Sequence, residues 1–213
     1  MSIECQKSPF AIFLSLYIEK KGTLPIQALI GAAVVFAASY PCFASSFLEG
    51  HDTAFHLMRI EGVKDALLDG QFPAVIYPND AFSHGYLGAL YPNIFLYIPA
   101  VLRLLRVSAL NAYRFLFLLI NIFSYFTAYL CGKGIAGSRR GAVLSAILYT
   151  LAPFRLIDIY FRSTLGEAIA CVFFPLVLLG IYNITIGDSS KWRVLFIGMC
   201  GLIESHILSA IFG

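Results

Sequence analysis

The sequence predicts an all-α, polytopic integral membrane bundle of about five spanning helices, and three observations carry that reading. Of 213 residues, 59% are hydrophobic and 13% charged, where an ordinary soluble domain carries about 25% charged residues. The mean hydropathy is +0.80. The apolar residues also gather in long blocks joined by short polar segments, as a chain solvated by a bilayer requires. A net charge of +3 is too small and too spread out to suggest nucleic-acid binding.

A spanning helix needs about 20 apolar residues. The run at 10–18 is too short and is followed by Glu19, Lys20 and Lys21, so residues 1–24 read as a cytoplasmic or interfacial segment and 25–213 as the membrane domain. Within that domain the spans fall at 26–45, 110–132, 141–154, 168–186 and 194–213. The third is short, about 21 Å at ~1.5 Å per residue, and must run on towards residue 159 or sit where the bilayer is thinned. Residues 91–105 are apolar but contain Pro92, Pro99 and Arg103, which suits a helix lying in the interface. The last apolar block reaches Gly213 with no polar flank, and the expectation is an N-terminal piece of a longer protein. The cysteines Cys5, Cys42, Cys131, Cys171 and Cys200 have no metal-ligand spacing and read as small hydrophobes.

Charge sets the expected orientation. With 91–105 in the interface, Lys7, Lys20, Lys21, Lys133, Arg139, Arg140, Lys191 and Arg193 all fall on one side, which the positive-inside rule makes cytoplasmic. The N-terminus is then cytoplasmic, and two outer loops remain, a long one at 46–108 and a short one at 155–167. Eight of the twelve acidic residues lie in those loops.

The long loop opens with a helical stretch in which Asp52, His56 and Arg59 follow the i, i+4, i+7 pattern of one stripe. A carboxylate, an imidazole and a guanidinium so presented suit removal of a proton from an acceptor hydroxyl by Asp52 and retention of a phosphate by Arg59 and protonated His56. The alternative is that Asp52 caps the helix and the other two face solvent. In the short loop, Asp158 and Arg162 are an i, i+4 pair with Arg155 on the same side, a set able to bind a lipid phosphate or a divalent cation bridging to one. Thr164 and Glu167, three apart before an apolar run, read as a capping box. Glu204 and His206 stand inside the fifth span, where ionisable groups are functional candidates, although His206 also suits a hydrogen bond to Ser205 or Ser209. Between the loop helices, Phe72, Pro73, Tyr77, Pro78, Asp80, His84, Gly85, Tyr86, Tyr91 and Pro92 form an aromatic, proline-rich segment suited to interfacial anchoring or to stacking on a sugar.

The motifs Gly50-His51-Asp52-x-x-Phe55-His56-x-x-Arg59-Ile60, Gly70-Gln71-Phe72-Pro73, Tyr91-Pro92, Pro153-Phe154-Arg155-x-x-Asp158-x-Tyr160-x-Arg162, Gly166-Glu167 and Ser205-His206 resemble bacterial membrane proteins labelled as 6-pyruvoyl-tetrahydropterin synthase-related. No pterin chemistry is implied, since the zinc-binding histidines of the soluble enzyme have no counterpart. The layout, with one span and then a long outer loop opening on an Asp, resembles the GT-C superfamily of polytopic glycosyltransferases. That resemblance implies transfer of a sugar from a polyprenyl-phosphate carrier to a cell-envelope glycan or protein on the outer face of the bacterial cytoplasmic membrane. It makes Asp52 the essential acid, with Asp158 and then Glu167 as a second acidic position; His56 and His206 complete the polar cavity, and Arg59, Arg155 and Arg162 are donor-binding. The cofactor stays open, with a divalent cation one option. The competing readings are a transporter or handler of lipid-linked glycans, with Glu204 and His206 lining the path, and an inactive fragment.

Overall fold

A computed structural model of the chain describes residues 24–44, 50–78 and 91–212. The expected N-terminal interfacial segment, and Asp80, His84, Gly85 and Tyr86 of the aromatic segment, lie outside the described residues. All regular elements among those described are helical.

Helix α1, Leu24–Ser39, is prolonged by a 3-10 turn at Tyr40–Phe43 with Pro41 as its second residue, a first-turn position where proline is tolerated. Helix α2, Thr53–Leu68, and helix α3, Tyr97–Leu104, follow as short elements outside the spans. Helix α4, Ala109–Ala136, is the longest; Ser108 caps its start by accepting from the Asn111 N–H, and Gly137 in the left-handed conformation (φ 62°) ends it. Helix α5, Arg139–Thr150, is capped by Ser138 and returns antiparallel to α4 after a two-residue joint. Next come α6, Pro153–Ile157, a π-helical turn at Asp158–Arg162, and α7, Leu165–Thr185. The chain ends in α8, Arg193–Ile203, and α9, Ile207–Phe212.

Three helical segments are long and apolar enough to cross a membrane: Ile26–Phe43, Ala109–Ala136 and Leu165–Thr185. A fourth arises if α5 and the segment Pro153–Arg162 act as one span bent by 40°. The continuation required by the short third block is therefore present, but it is kinked, and it draws Arg155 and Asp158 inward to 2% and 0% exposure instead of leaving them on an outer loop. The expected fifth span is not continuous. Ser205 and His206 both donate their N–H groups to Leu202 O, a tight turn that leaves Glu204 exposed and splits the helix into α8 and α9.

The main core lies at one end of the bundle. Ile60, Val63 and Ala66 of α2 pack with Leu96 and Ala100, against Tyr113, Phe117 and Ile120 of α4 and Leu165, Ile169 and Val172 of α7. Helices α2 and α3 are thereby docked over the starts of α4 and α7. The joints carrying Lys133, Arg139 and Arg140, and Lys191 and Arg193, leave at the other ends of those helices. Of the cysteines expected to be buried, Cys42 and Cys131 are, Cys171 is partly so and Cys200 is exposed.

Candidate functional site

The two expected outer loops meet through their backbones. His51 N–H donates to Phe161 O at 3.2 Å and Asp52 N–H to Arg162 O at 3.1 Å, while the His51 and Phe161 rings lie 4.9 Å apart. Contact this close requires glycine at position 50, because a Cβ there would fall 1.8 Å from Ser163 Oγ. Thr53 Oγ1 donates to the same Ser163 oxygen at 3.0 Å. Ser163 itself is left-handed (φ 55°), a strained position for a residue with a Cβ, and it turns the chain from the π-helical turn into α7.

Below this junction sits an acid–arginine cluster. Arg162 Nη1 donates to Asp158 Oδ1 at 2.7 Å and to Glu167 Oε2 at 2.9 Å, and its Nη2 donates to Glu167 Oε1 at 3.2 Å. Asp158 also accepts from the Thr164 hydroxyl, and its Oδ2 is buried with no hydrogen-bond partner among the described residues. The capping box expected of Thr164 and Glu167 is therefore not formed, since both side chains turn towards the cluster. The N–H of Leu165 is received instead by His56 Nε2, at 3.2 Å.

His56 is 5% exposed, and burial, helped by the nearby Arg59 charge, pushes its pKa down to about 3. The protonated His56 that was expected to hold a phosphate does not fit this geometry, because Nε2 accepts the Leu165 N–H as a neutral imidazole nitrogen does. Arg59 is 4% exposed. Its Nη2 donates to Pro92 O at 2.8 Å and Asn93 Oδ1 at 3.1 Å, with its guanidinium 4.9 Å from the Tyr91 ring centroid. Asn93 in turn accepts from the Tyr77 hydroxyl and donates to Ala74 O. Arg59 thus fixes the aromatic segment from inside, and Tyr77, 1% exposed, is core instead of an anchor. Asp52, His56 and Arg59 do not share an open face; of the three, Asp52 is the least buried. It occupies the N-cap position of α2 without a side-chain capping bond.

Arg155 is likewise withdrawn from any headgroup. It donates to Thr150 O, Asn121 Oδ1 and Ser124 Oγ at 2.9, 2.7 and 3.0 Å, which locks the kink between α5 and α6 against α4. His206 is brought to the site's edge, where a Cβ on Gly166 would lie 3.2 Å from its Cδ2. Its Nδ1 is 2.9 Å from Ser209 Oγ and accepts the Ser209 N–H, so it caps α9.

The residues that sequence reasoning missed are Thr53 and Ser163 at the junction, and Asn121 with Ser124 behind it, and Gly50 stood only in a motif with no packing role read from it. Polar Asn121 and Ser124, three apart in an otherwise apolar span, are the signal that could have found the second pair. Among the described residues no group of three or more His, Cys, Asp or Glu is arranged to hold a metal ion. The Arg162 guanidinium already stands between the two carboxylates, so this arrangement does not fit a bound cation.

The fold is all-helical among the described residues, with three helices long and apolar enough to cross a membrane, and Asp52, Asp158, Arg162 and Glu167 lie at one end of the bundle. No protein-family model matches the chain, and no solved structure matches it. An uncharacterised protein of Lactococcus lactis subsp. cremoris (strain MG1363) is 24% identical over 185 residues, 84% of this chain and 30% of the relative. The chain spans about 30% of the length of that relative.

Proposed function

We propose that the chain belongs to a multi-pass, GT-C-like glycosyltransferase of the bacterial cytoplasmic membrane, with the N-terminus in the cytoplasm and the Asp52–Arg162 junction on the outer face. The observation that carries this reading is the backbone bond from Asp52 to Arg162. It sets Asp52, whose carboxylate makes no capping bond, beside an arginine whose side chain is 40% exposed, the pairing that attack by a hydroxyl on a sugar phosphate needs.

In this reading Asp52 takes the proton of the acceptor hydroxyl as its oxygen bonds to the anomeric carbon. The bond from that carbon to the phosphate oxygen breaks, and its electron pair leaves on the polyprenyl phosphate. Arg162 meets the phosphate charge from its exposed edge, while Asp158 and Glu167 orient the guanidinium. The leaving group is already a stabilised anion, so orientation and charge binding carry most of the catalysis. His56 and Arg155 act as positioning residues, and Arg59 holds the aromatic segment.

The test is transfer from a panel of radiolabelled polyprenyl-phosphate sugars by membranes containing the protein. Labelled glycan or protein above the level of membranes lacking it supports the proposal. A second reading, a transporter of lipid-linked glycans, draws on the helix broken at Ser205–His206, since transporters bind substrate at discontinuous helices. Flux of the labelled lipid in proteoliposomes without sugar transfer favours that reading.

A further inference from the structure

A lateral groove of about 610 Å³ opens between α1 and α4. Leu118, Ile122, Tyr125 and Tyr129 form its α4 wall, and α1 meets them with the small residues Ala28 and Ala32. Helix α1 packs on the bundle through Val34, Ala38 and Ser39 and turns its other face outward, Leu29 and Phe36 being 71% and 66% exposed. Both helices are apolar enough to cross a membrane, and most of the residues lining the groove are apolar.

A cation, Arg114, stands just beyond the lining residues at the end of the groove nearest the candidate site, its Nη1 donating to Asn111 Oδ1 at 3.4 Å. Arg114 lies one turn before Leu118 on the same stripe of α4. Its Nε donates to Cys42 O at 2.8 Å, and Phe43, the next residue, lines the groove. Among the described residues no carboxylate forms an ion pair with Arg114. From Leu118 to Tyr129 the α4 wall runs about 17 Å at ~1.5 Å per residue, close to one leaflet of a ~30 Å hydrocarbon core. An apolar slot one leaflet deep, with an arginine at its end that makes no ion pair among the described residues, fits an anionic amphiphile from the surrounding bilayer.

We propose that this groove binds one anionic glycerophospholipid, its phosphate held by Arg114 and one acyl chain lying along α4. The site is separate from the Asp52–Arg162 junction and does not depend on the glycosyltransferase reading.

The experiment is photolabelling of the purified protein in phosphatidylcholine vesicles doped with phosphatidylglycerol that carries a diazirine near the end of one acyl chain, followed by peptide mapping. Adducts should concentrate around Tyr125 and Tyr129, about fivefold above those from the matching phosphatidylcholine probe, as expected for one arginine near an anionic headgroup. Arg114→Gln should remove that preference and Arg114→Lys should keep it, while Ala32→Phe should clear adducts from the groove for both probes. Adducts spread evenly onto exposed Leu144 and Leu148 of α5, or groove labelling indifferent to headgroup, would overturn the proposal. The headgroup comparison needs no variant, so it decides the question even where a substituted chain fails to fold.

Discussion

The Nε2 of His56 accepts the backbone N–H of Leu165 at 3.2 Å, across 109 residues of sequence. A helix that begins in the core needs partners for its first N–H groups, and α7 obtains one from a side chain on α2. The bond assigns the remaining proton of the neutral ring to Nδ1. It also ties α2 to the start of α7, a helix long and apolar enough to cross a membrane, so the position of the candidate site depends on it.

The protonation of His56 gives the first prediction. Its pKa is about 3 in the folded protein, well below the ordinary value of 6.5, so the unfolded chain binds the proton first on acidification. The stabilising contribution is complete above about pH 6.5 and is lost as pH falls towards 3, with a limiting slope of ~1.4 kcal/mol per pH unit. Thermal unfolding of detergent-solubilised protein should show a midpoint that falls across this window. His56→Gln should flatten that fall while lowering the midpoint at pH 7.

Gly50 is the second test, because any side chain there meets Ser163 Oγ and Cβ and Thr53 Oγ1. Gly50→Ala should destabilise by about 1–3 kcal/mol, as forced overpacking does, and should separate Asp52 from Arg162. Adding Ser163→Gly removes the clashing side chain and relieves a left-handed non-glycine residue. The double variant should recover part of the lost stability, measured as the unfolding midpoint.

Arg155→Lys should destabilise although it keeps the charge. The guanidinium serves Thr150 O, Asn121 and Ser124 at once, and an ammonium cannot reproduce that planar fork. A loss of about 1.5–3 kcal/mol is expected for one such charged hydrogen bond left unmade, read as a lower midpoint and as increased proteolysis at the α5–α6 kink.

Arg162→Lys should leave the fold intact, since this side chain is the most exposed member of its cluster. It should lower turnover of a polyprenyl-phosphate sugar by about 10²-fold, the scale for removing one preorganised charge-stabilising group. Initial rates with varied donor are the measurement.

The elements legible in the sequence are those whose cause is local. Helix α4 declares its apolar length, its Ser108 cap and its Gly137 stop within its own residues. The kinked third block was visible as a block too short to span. The Thr164–Glu167 pair has the spacing of a capping box, yet Asp158, Arg162 and His56 compete for the same groups, and the winning donor–acceptor pairs form through tertiary packing. His56 and Arg59 carry the right spacing for a surface stripe, but local pattern does not report that α7 and residues 91–93 cover them. The break at Ser205–His206 is hidden for a related reason: apolar composition continues on both sides of it, and the turn is seated against Gly166 of another helix. Spacing did capture the Asp158–Arg162 pair, whose i, i+4 contact is formed at 2.7 Å, while Glu167 and Asp52 reach Arg162 only through tertiary packing.

The central claim is that Asp52 removes the proton from the acceptor during sugar transfer. Asp52 makes no side-chain capping bond, so Asp52→Asn should preserve the fold, and the decisive measurement is the rate of transfer from a labelled polyprenyl-phosphate sugar in membranes holding equal amounts of wild type and variant. The account predicts a loss of about 10²–10⁴-fold, the range for removing a general base, with an unchanged unfolding midpoint. Undiminished turnover in Asp52→Asn would contradict it.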